Sequence, residues 1–310
     1  MRFNALMLAE RSAANSIEKP RPNPQKNILF IRRLSRAPWW LLIIISLIFA
    51  FVINVADSST YQLAWAEVQQ GIWITVWVTV VAYGISLVFG LLLALMRRPS
   101  QSLAYNLLIY QPATVIVEFI RGVPTLVLVF YMTLAFVPQM VMVLNGVGQF
   151  LLEEQFALTG VAEWMAQLRA RDIPTVYRAI VALAISYAAF LSEIFRAGLD
   201  SVDIGQHEAA RSLGMNRWQI IWHIVLPQAT RNILPALGND FIAMLKESSL
   251  VSVAGVQDIT RLGQSFSAAT FTFFQSYNVV AVTYLVMTLI LSILVKLLEM
   301  YISRGRQTAD

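Results

Sequence analysis

Residues Glu208 to Ala229 read EAARSLGMNRWQIIWHIVLPQA, a helix, a glycine turn and a second helix, which is also the outline of a DNA-binding helix-turn-helix. What surrounds the stretch decides between a DNA reader and something else. The chain has 310 residues, 57% of them hydrophobic and 13% charged, and its mean hydropathy is +0.63. Soluble domains carry roughly a quarter charged residues, so this is a membrane composition. There is no cysteine, which excludes disulfides, iron–sulfur clusters and thiol catalysis, and His207 and His223 alone make a poor histidine metal site.

The net charge is +5, but eight of the 23 basic residues precede residue 39, among only two acids. Basic residues gathered beside an apolar run are a topology signal before they are a nucleic-acid signal. That run, WWLLIIISLIFAFVINVA at 39–56, carries no charge and is just long enough to cross a bilayer. A cleaved leader fits poorly: 38 residues precede the run, and the nearest Ala-x-Ala, Ala64 to Ala66, lies well past its end. Further apolar runs occupy about 71–96, 113–143, 177–199, 232–256 and 277–298, giving six expected spans. With the N-terminus inside, segments 1–38, 97–112, 200–231 and 299–310 hold 15 Lys and Arg, against three in 57–70, 144–176 and 257–276. The positive-inside rule therefore puts both termini and the 200–231 loop in the cytoplasm. The first 38 residues, interrupted by Pro20, Pro22, Pro24 and Pro38, read as a mostly disordered tail. Phe150 to Asp172 has apolar residues at near-helical spacing with charges between them, as in a helix lying at the membrane interface.

Within the loop, Asp203 with Gln206 forms a capping-box-like pattern, Gly214 sits where a left-handed turn needs glycine, and Asn216 with Gln219 repeats the capping device. The second helix is expected to stop at Leu226-Pro227, with Trp218, Ile221, Trp222 and Val225 forming one apolar face at i, i+3, i+4 and i+7. Arg217 is its one strong cation, whereas a recognition helix presents several Arg, Lys, Asn or Gln side chains to base edges and phosphates. Nucleic acid is therefore not an expected partner.

Glu208-Ala209-Ala210, Gly214 and Ile224-x-Leu226-Pro227 match E-A-A-x3-G-x9-I-x-L-P at every fixed position. This resembles the EAA signature of ABC importer permeases. The resemblance implies an all-α integral membrane protein of the type I ABC importer permease fold, with a five-helix core plus an extra N-terminal span. It implies that the loop at 203–229 docks on a cytoplasmic ATPase dimer, which uses ATP and Mg while this chain binds no cofactor. Small residues at Ala209 and Ala210 permit the close helix approach such a role needs.

Three more stretches are similar to the polar amino acid branch of that family: EFIRGVPTLVLVF at 118–130, SYAAFLSEIFRAGLDSV at 186–202 and LKESSLVSVAGVQDI at 245–259. The resemblance covers about 65–303, leaving out the tail, the first span and part of an extracytoplasmic insertion at 144–176. It implies a separate extracytoplasmic amino-acid-binding protein, a second permease copy or a related permease subunit, and a bacterial plasma (inner) membrane location. Ionisable groups within the bilayer are costly and face a partner or a wet cavity. Glu118 with Arg121, and Glu193 with Arg196, are i,i+3 pairs that neutralise one another on a helix face, and packing is the better reading of them. Asp240, Lys246, Glu247, Ser248 and Ser249 form a denser polar run and are the stronger candidates for a solute path. Pro124 and Pro235 are expected to bend or end their helices.

No phosphate loop of the form G-x-x-x-x-G-K-[ST] occurs, so the chain reads as a transport subunit and not an ATPase. The rival classes are an ion-gradient-driven secondary transporter, which leaves the EAA loop without a task, and a membrane-tethered regulator.

Overall fold

A computed structural model of the chain describes residues 39–154 and 159–304; the proposed tail at 1–38 lies outside them. The described residues are helical. The helices are α1 (Trp39–Asp57), α2 (Ser59–Val68), α3 (Gly71–Met96), α4 (Leu103–Gly122), α5 (Thr125–Glu153), α6 (Thr159–Gln167), α7 (Thr175–Asp200), α8 (Ile204–Ser212), α9 (Arg217–Ile220), α10 (Leu226–Glu247), α11 (Ile259–Thr270) and α12 (Phe273–Arg304). Residues up to Ile53 and residues from Asn54 onward form two separate units. In the first, α1 is an apolar helix; the account below concerns the second.

Five helices among the described residues are long and apolar enough to cross a membrane: Ser59–Met96, Leu103–Gly122, Thr125–Glu153, Thr175–Asp200 and Phe273–Ile302, with Leu42–Asp57 a shorter apolar helix. The core lies between α3 and α7, where Val78, Ala82, Ala179, Ala182, Leu183 and Leu191 are buried against one another. Small residues on both helices let the backbones come close: Ser86 on α3 donates to the Ala184 carbonyl of α7 at 3.1 Å.

The expected single span at 113–143 is two helices. Pro124 has no N–H to donate and forces its predecessor into extended backbone, so Val123 (φ −99°, ψ 131°) ends α4 and α5 starts afresh at Thr125. Both ends of α4 are tied to one level of α3. The Tyr105 hydroxyl donates to the Leu95 and Met96 carbonyls at 3.5 and 3.3 Å, while Val117 and Ile120, near the other end, pack with Leu93 and Ala189. α4 is thus long enough to span, yet both its ends meet the same end of α3.

Leu226-Pro227 does not stop a helix. α9 passes through a π turn at Ile221–Val225 directly into α10. The same device precedes two other prolines: π turns at Asn106–Tyr110 and Tyr131–Phe136 are each followed by one residue and then Pro112 or Pro138. A proline inside an α-helix lacks the hydrogen bond to residue i−4 and clashes with that carbonyl. One extra residue in the preceding turn relieves both conflicts, so the helix continues. Pro235 likewise sits inside a continuous α10.

At the end of the bundle away from the 203–225 loop, α3 starts against the turn before α11. A Cβ on Gly71 would stand 2.4 Å from the Ile259 nitrogen, so only glycine fits. The Ile259 N–H donates to the Thr75 hydroxyl at 3.3 Å. Asp258 is fully buried there, caps α11 through the Arg261 N–H at 2.9 Å and accepts from the Tyr284 hydroxyl at 3.2 Å. Burial pushes its carboxyl above the usual carboxylate range, against the pull of those donors. The insertion is helical: Asn145 on α5 donates to the Met165 and Leu168 carbonyls at 2.7 and 2.6 Å, and Arg178 donates both to the Ile173 carbonyl at 3.0 Å and to the Thr133 carbonyl of α5 at 3.3 Å.

Candidate functional site

The loop that joins α7 to α10 is a folded unit. Asp203 caps α8 by accepting from the Gly205 N–H at 2.6 Å, an Asx cap and not the box with Gln206 that the spacing suggested. Asn216 and Gln219 make the full reciprocal box, both bonds at 2.9 Å. Between them Gly214 has φ +78°, its N–H donates to the Arg211 carbonyl, and Met215 N–H reaches back to Ala210. Val202, Ala210, Ile220, Val225, Ala229 and Ile233 are buried together, seating the loop on the start of α10.

The π turn changes which residues face inward. The expected face of Trp218, Ile221, Trp222 and Val225 is divided: Val225 is buried and the other three are exposed. Ile204 is 74%, Leu213 82%, Trp218 72% and Trp222 61% exposed, beside exposed Glu208 and Ala209. Large apolar side chains exposed together on a capped, folded loop are the kind of surface that protein partners bury. The DNA alternative fails on the same geometry, because the second helix runs on into α10 and presents tryptophans where a reader presents polar side chains.

Of the charged candidates, the structure gathers Glu118, Arg121 and Glu193 at the loop end of the bundle. Glu193 accepts from Arg97 at 2.7 Å, from Arg196 at 2.6 Å and from Arg121 at 3.2 Å, and Arg97 also reaches Glu118 at 3.2 Å. The Glu118–Arg121 contact within α4 is longer, at 3.9 Å. These groups join α3, α4 and α7, so their first role is to clamp three helices. Glu193, with three arginine partners, is the hub of the cluster, and its buried cation is Arg97, 8% exposed and paired with both carboxylates. Sequence reasoning missed it. The available signal was an Arg-Arg pair closing a 26-residue helix that carries no charge of its own.

The polar run of α10 divides. Asp240 and Glu247, seven residues apart, share one half-buried side with Tyr187 of α7 beside them. Tyr83 of α3 donates to the Leu237 carbonyl at 2.6 Å and its ring lies 4.9 Å from that of Phe241. Asp240 Oδ2 is buried with no hydrogen-bond partner among the described residues. Lys246 is exposed and on another side of the helix. Ser248 is fully buried and donates to the Leu245 carbonyl at 2.7 Å, and Ser249 is half-buried. Tyr83 and Tyr187 went unremarked in the sequence, although a tyrosine inside an apolar run has a hydroxyl that must find a partner.

Residues 86–306 match the family model described as binding-protein-dependent transport system inner membrane component. The chain is 34% identical over 255 residues to the "Probable amino-acid permease protein YxeN" of Bacillus subtilis, covering 82% of this chain and all of that one. It is 33% identical over 230 residues to the glutamine transport system permease protein GlnP of Escherichia coli, covering 74% of this chain and 90% of GlnP. A crystal structure of an amino acid ABC transporter with histidines superposes with TM-score 0.60 at 34% identity, covering 81% of this chain and 98% of that one.

Proposed function

The chain belongs to the family of binding-protein-dependent transport system inner membrane components, and on that premise we propose how its residues divide the labour of an importer. It is a multi-pass membrane permease subunit of an ATP-binding-cassette importer for polar amino acids. The loop at 203–229 is the dock for the partner ATPase dimer. Glu208, Ala209, Ala210 and Gly214 form its rigid first half, and Ile224, Leu226 and Pro227 carry the second half into α10. The observation that carries this reading is the exposed apolar surface of the loop, Ile204, Leu213, Trp218 and Trp222, on a unit whose own core is already closed. ATP and Mg act in the partner. A separate extracytoplasmic binding protein delivers the amino acid, and a second permease copy or a related subunit completes the path. Copurification of a soluble ATPase, together with uptake of labelled glutamine, arginine, histidine or glutamate in preference to leucine, tests the assignment. An ATPase-free protein driven by an ion gradient would overturn it.

The loop end of the bundle faces the cytoplasm, and by the same charge count so do both termini. The support is the excess of Lys and Arg on that side. The absence of native cysteine makes this testable. Ser201 and Ser265 are both exposed, at opposite ends of the bundle. A membrane-impermeant thiol reagent applied to intact cells is expected to label Ser265→Cys and not Ser201→Cys; equal labelling would refute the orientation.

Asp240 and Glu247, with Tyr83 and Tyr187, line the part of the path that meets the solute. A buried carboxylate oxygen without a partner and a zwitterion with an ammonium group are complementary. Lys246, on another side of α10, is a lesser contributor. Asp240→Asn is expected to cut uptake about tenfold while the ATPase still copurifies, and Lys246→Met to cut it about twofold. Full activity of Asp240→Asn would remove this side of α10 from the path.

A further inference from the structure

We propose that the cleft between α3, α4 and α7 is a binding site for an anionic glycerophospholipid, one acyl chain lying in the cleft and the headgroup phosphate meeting the arginines at its mouth. The cleft has a volume of about 640 Å³ and is lined wholly by apolar side chains, among them Ile85, Phe89 and Leu93 of α3, Ile116 of α4, and Val181 and Ala188 of α7. It follows α3 from Leu93 to Ile85, eight residues and so about 12 Å of helix, a reach suited to the upper part of an acyl chain. Alanines 184 and 188 form its floor and give it depth, while Phe89, Ile116 and Val181 stand exposed along its opening. A hollow open to hydrocarbon within a bilayer is filled by lipid or by protein.

Charge decides between the two. The mouth lies at the loop end, where Leu93 is one turn from Arg97 and Ile120, also lining the cleft, adjoins Arg121. There Arg97, Arg98, Arg121 and Arg196 stand with three carboxylates, Glu118, Glu193 and Asp200, which leaves one positive charge in excess. The Arg97 Nε is buried without an acceptor among the described residues, and the Arg121 and Arg196 side chains are each partly exposed. A second copy docking through this same face in a two-fold contact would set one positive cluster against its duplicate. A phosphate diester complements it, and basic pockets between membrane helices on the cytoplasmic side hold anionic headgroups in this way. Placing the site in the inner leaflet rests on the orientation proposed above; the binding itself does not.

The test uses the purified permease with its ATPase, delipidated in neutral detergent and titrated with dioleoylphosphatidylglycerol or dioleoylphosphatidylcholine, retained lipid being counted by native mass spectrometry. Phosphatidylglycerol is expected to be retained about tenfold more tightly than phosphatidylcholine. Val181→Trp and Ile116→Trp, at half-exposed positions on two different helices, fill the cleft and are each expected to abolish that retention while the ATPase still copurifies. Arg121→Gln combined with Arg196→Gln is expected to remove the preference and leave phosphatidylcholine retention as it was. Glycerol 3-phosphate, which has the phosphate and no chain, is expected not to compete at equal concentration. Equal retention of the two lipids, or cleft-filling variants that bind as the parent does, would overturn the proposal. So would a loss of permease pairing in Val181→Trp with lipid retention unchanged, since the cleft would then be a protein interface. Because the titration is done in detergent, a reversed cysteine-labelling pattern would move the site to the outer leaflet without erasing the preference.

Discussion

Gly214→Val is expected to insert normally and to lose amino acid uptake, with either no copurifying ATPase or hydrolysis that loaded binding protein no longer stimulates. Nothing lies within 4 Å of a Cβ built at Gly214, so a valine side chain has room. What it lacks is the backbone conformation: φ is +78°, and a β-branched residue there costs about 1 to 2 kcal/mol. That is a factor of roughly 5 to 30 against the native turn, concentrated on the joint that sets α8 against α9. The membrane helices are held by their own packing and feel little of it. Gly214→Asn supplies the control, because asparagine tolerates the left-handed region; it is expected to keep uptake within about twofold of the parent. A valine variant that keeps its ATPase and transports at the normal rate would remove the coupling role from the loop.

Arg97→Gln is expected to be the most damaging single change in the helical bundle. Removing one partner of a buried ion pair costs about 3 to 5 kcal/mol. The value here is smaller, about 2 to 3 kcal/mol, because Glu118 is more than half exposed and water screens it. In detergent this corresponds to a fall of roughly 5 to 10 °C in the unfolding midpoint, with uptake lost as α4 comes away from α3 and α7. The double variant Arg97→Gln/Glu193→Gln isolates the pair. It is expected to be less destabilised than the sum of the two single variants, by about 1 kcal/mol or more; simple additivity would show that the two groups are not coupled.

The loop was legible because its determinants are local. Asn216, Gln219 and Gly214 act within a few residues of themselves, and a cap or a left-handed turn is the same object in a short peptide as in a bundle. The apolar runs were legible for the same kind of reason, since bilayer thickness fixes a length that can be counted. Three things escaped. Length alone gave 113–143 as one crossing, but the orientation of α4 is set by ties from Tyr105 and Ile120 to distant parts of the chain. Arg97 is unremarkable until folding brings Glu118 and Glu193 to it from 21 and 96 residues away. The run from Asp240 to Ser249 reads as one polar patch, yet successive residues on a helix point about 100° apart, so Asp240 and Glu247 share a side that Lys246 does not. In each case the deciding partner lies far away in sequence.

The π turn at Ile221–Val225 has a consequence for the phase of the helix that follows. Such a turn amounts to one inserted residue, and one residue is about 100° of rotation about the helix axis. Had the chain passed Pro227 by a regular α turn with one residue fewer, every side chain downstream would be wound round by that angle. Asp240 would then exchange its place against α3 and α7 for one on the flank of α10. The compass bearing of the Asp240 carboxylate within the bundle is therefore set at the 203–225 loop, some fifteen residues upstream. A twist applied to Trp218 and Trp222 has an unbroken shaft along which to reach it.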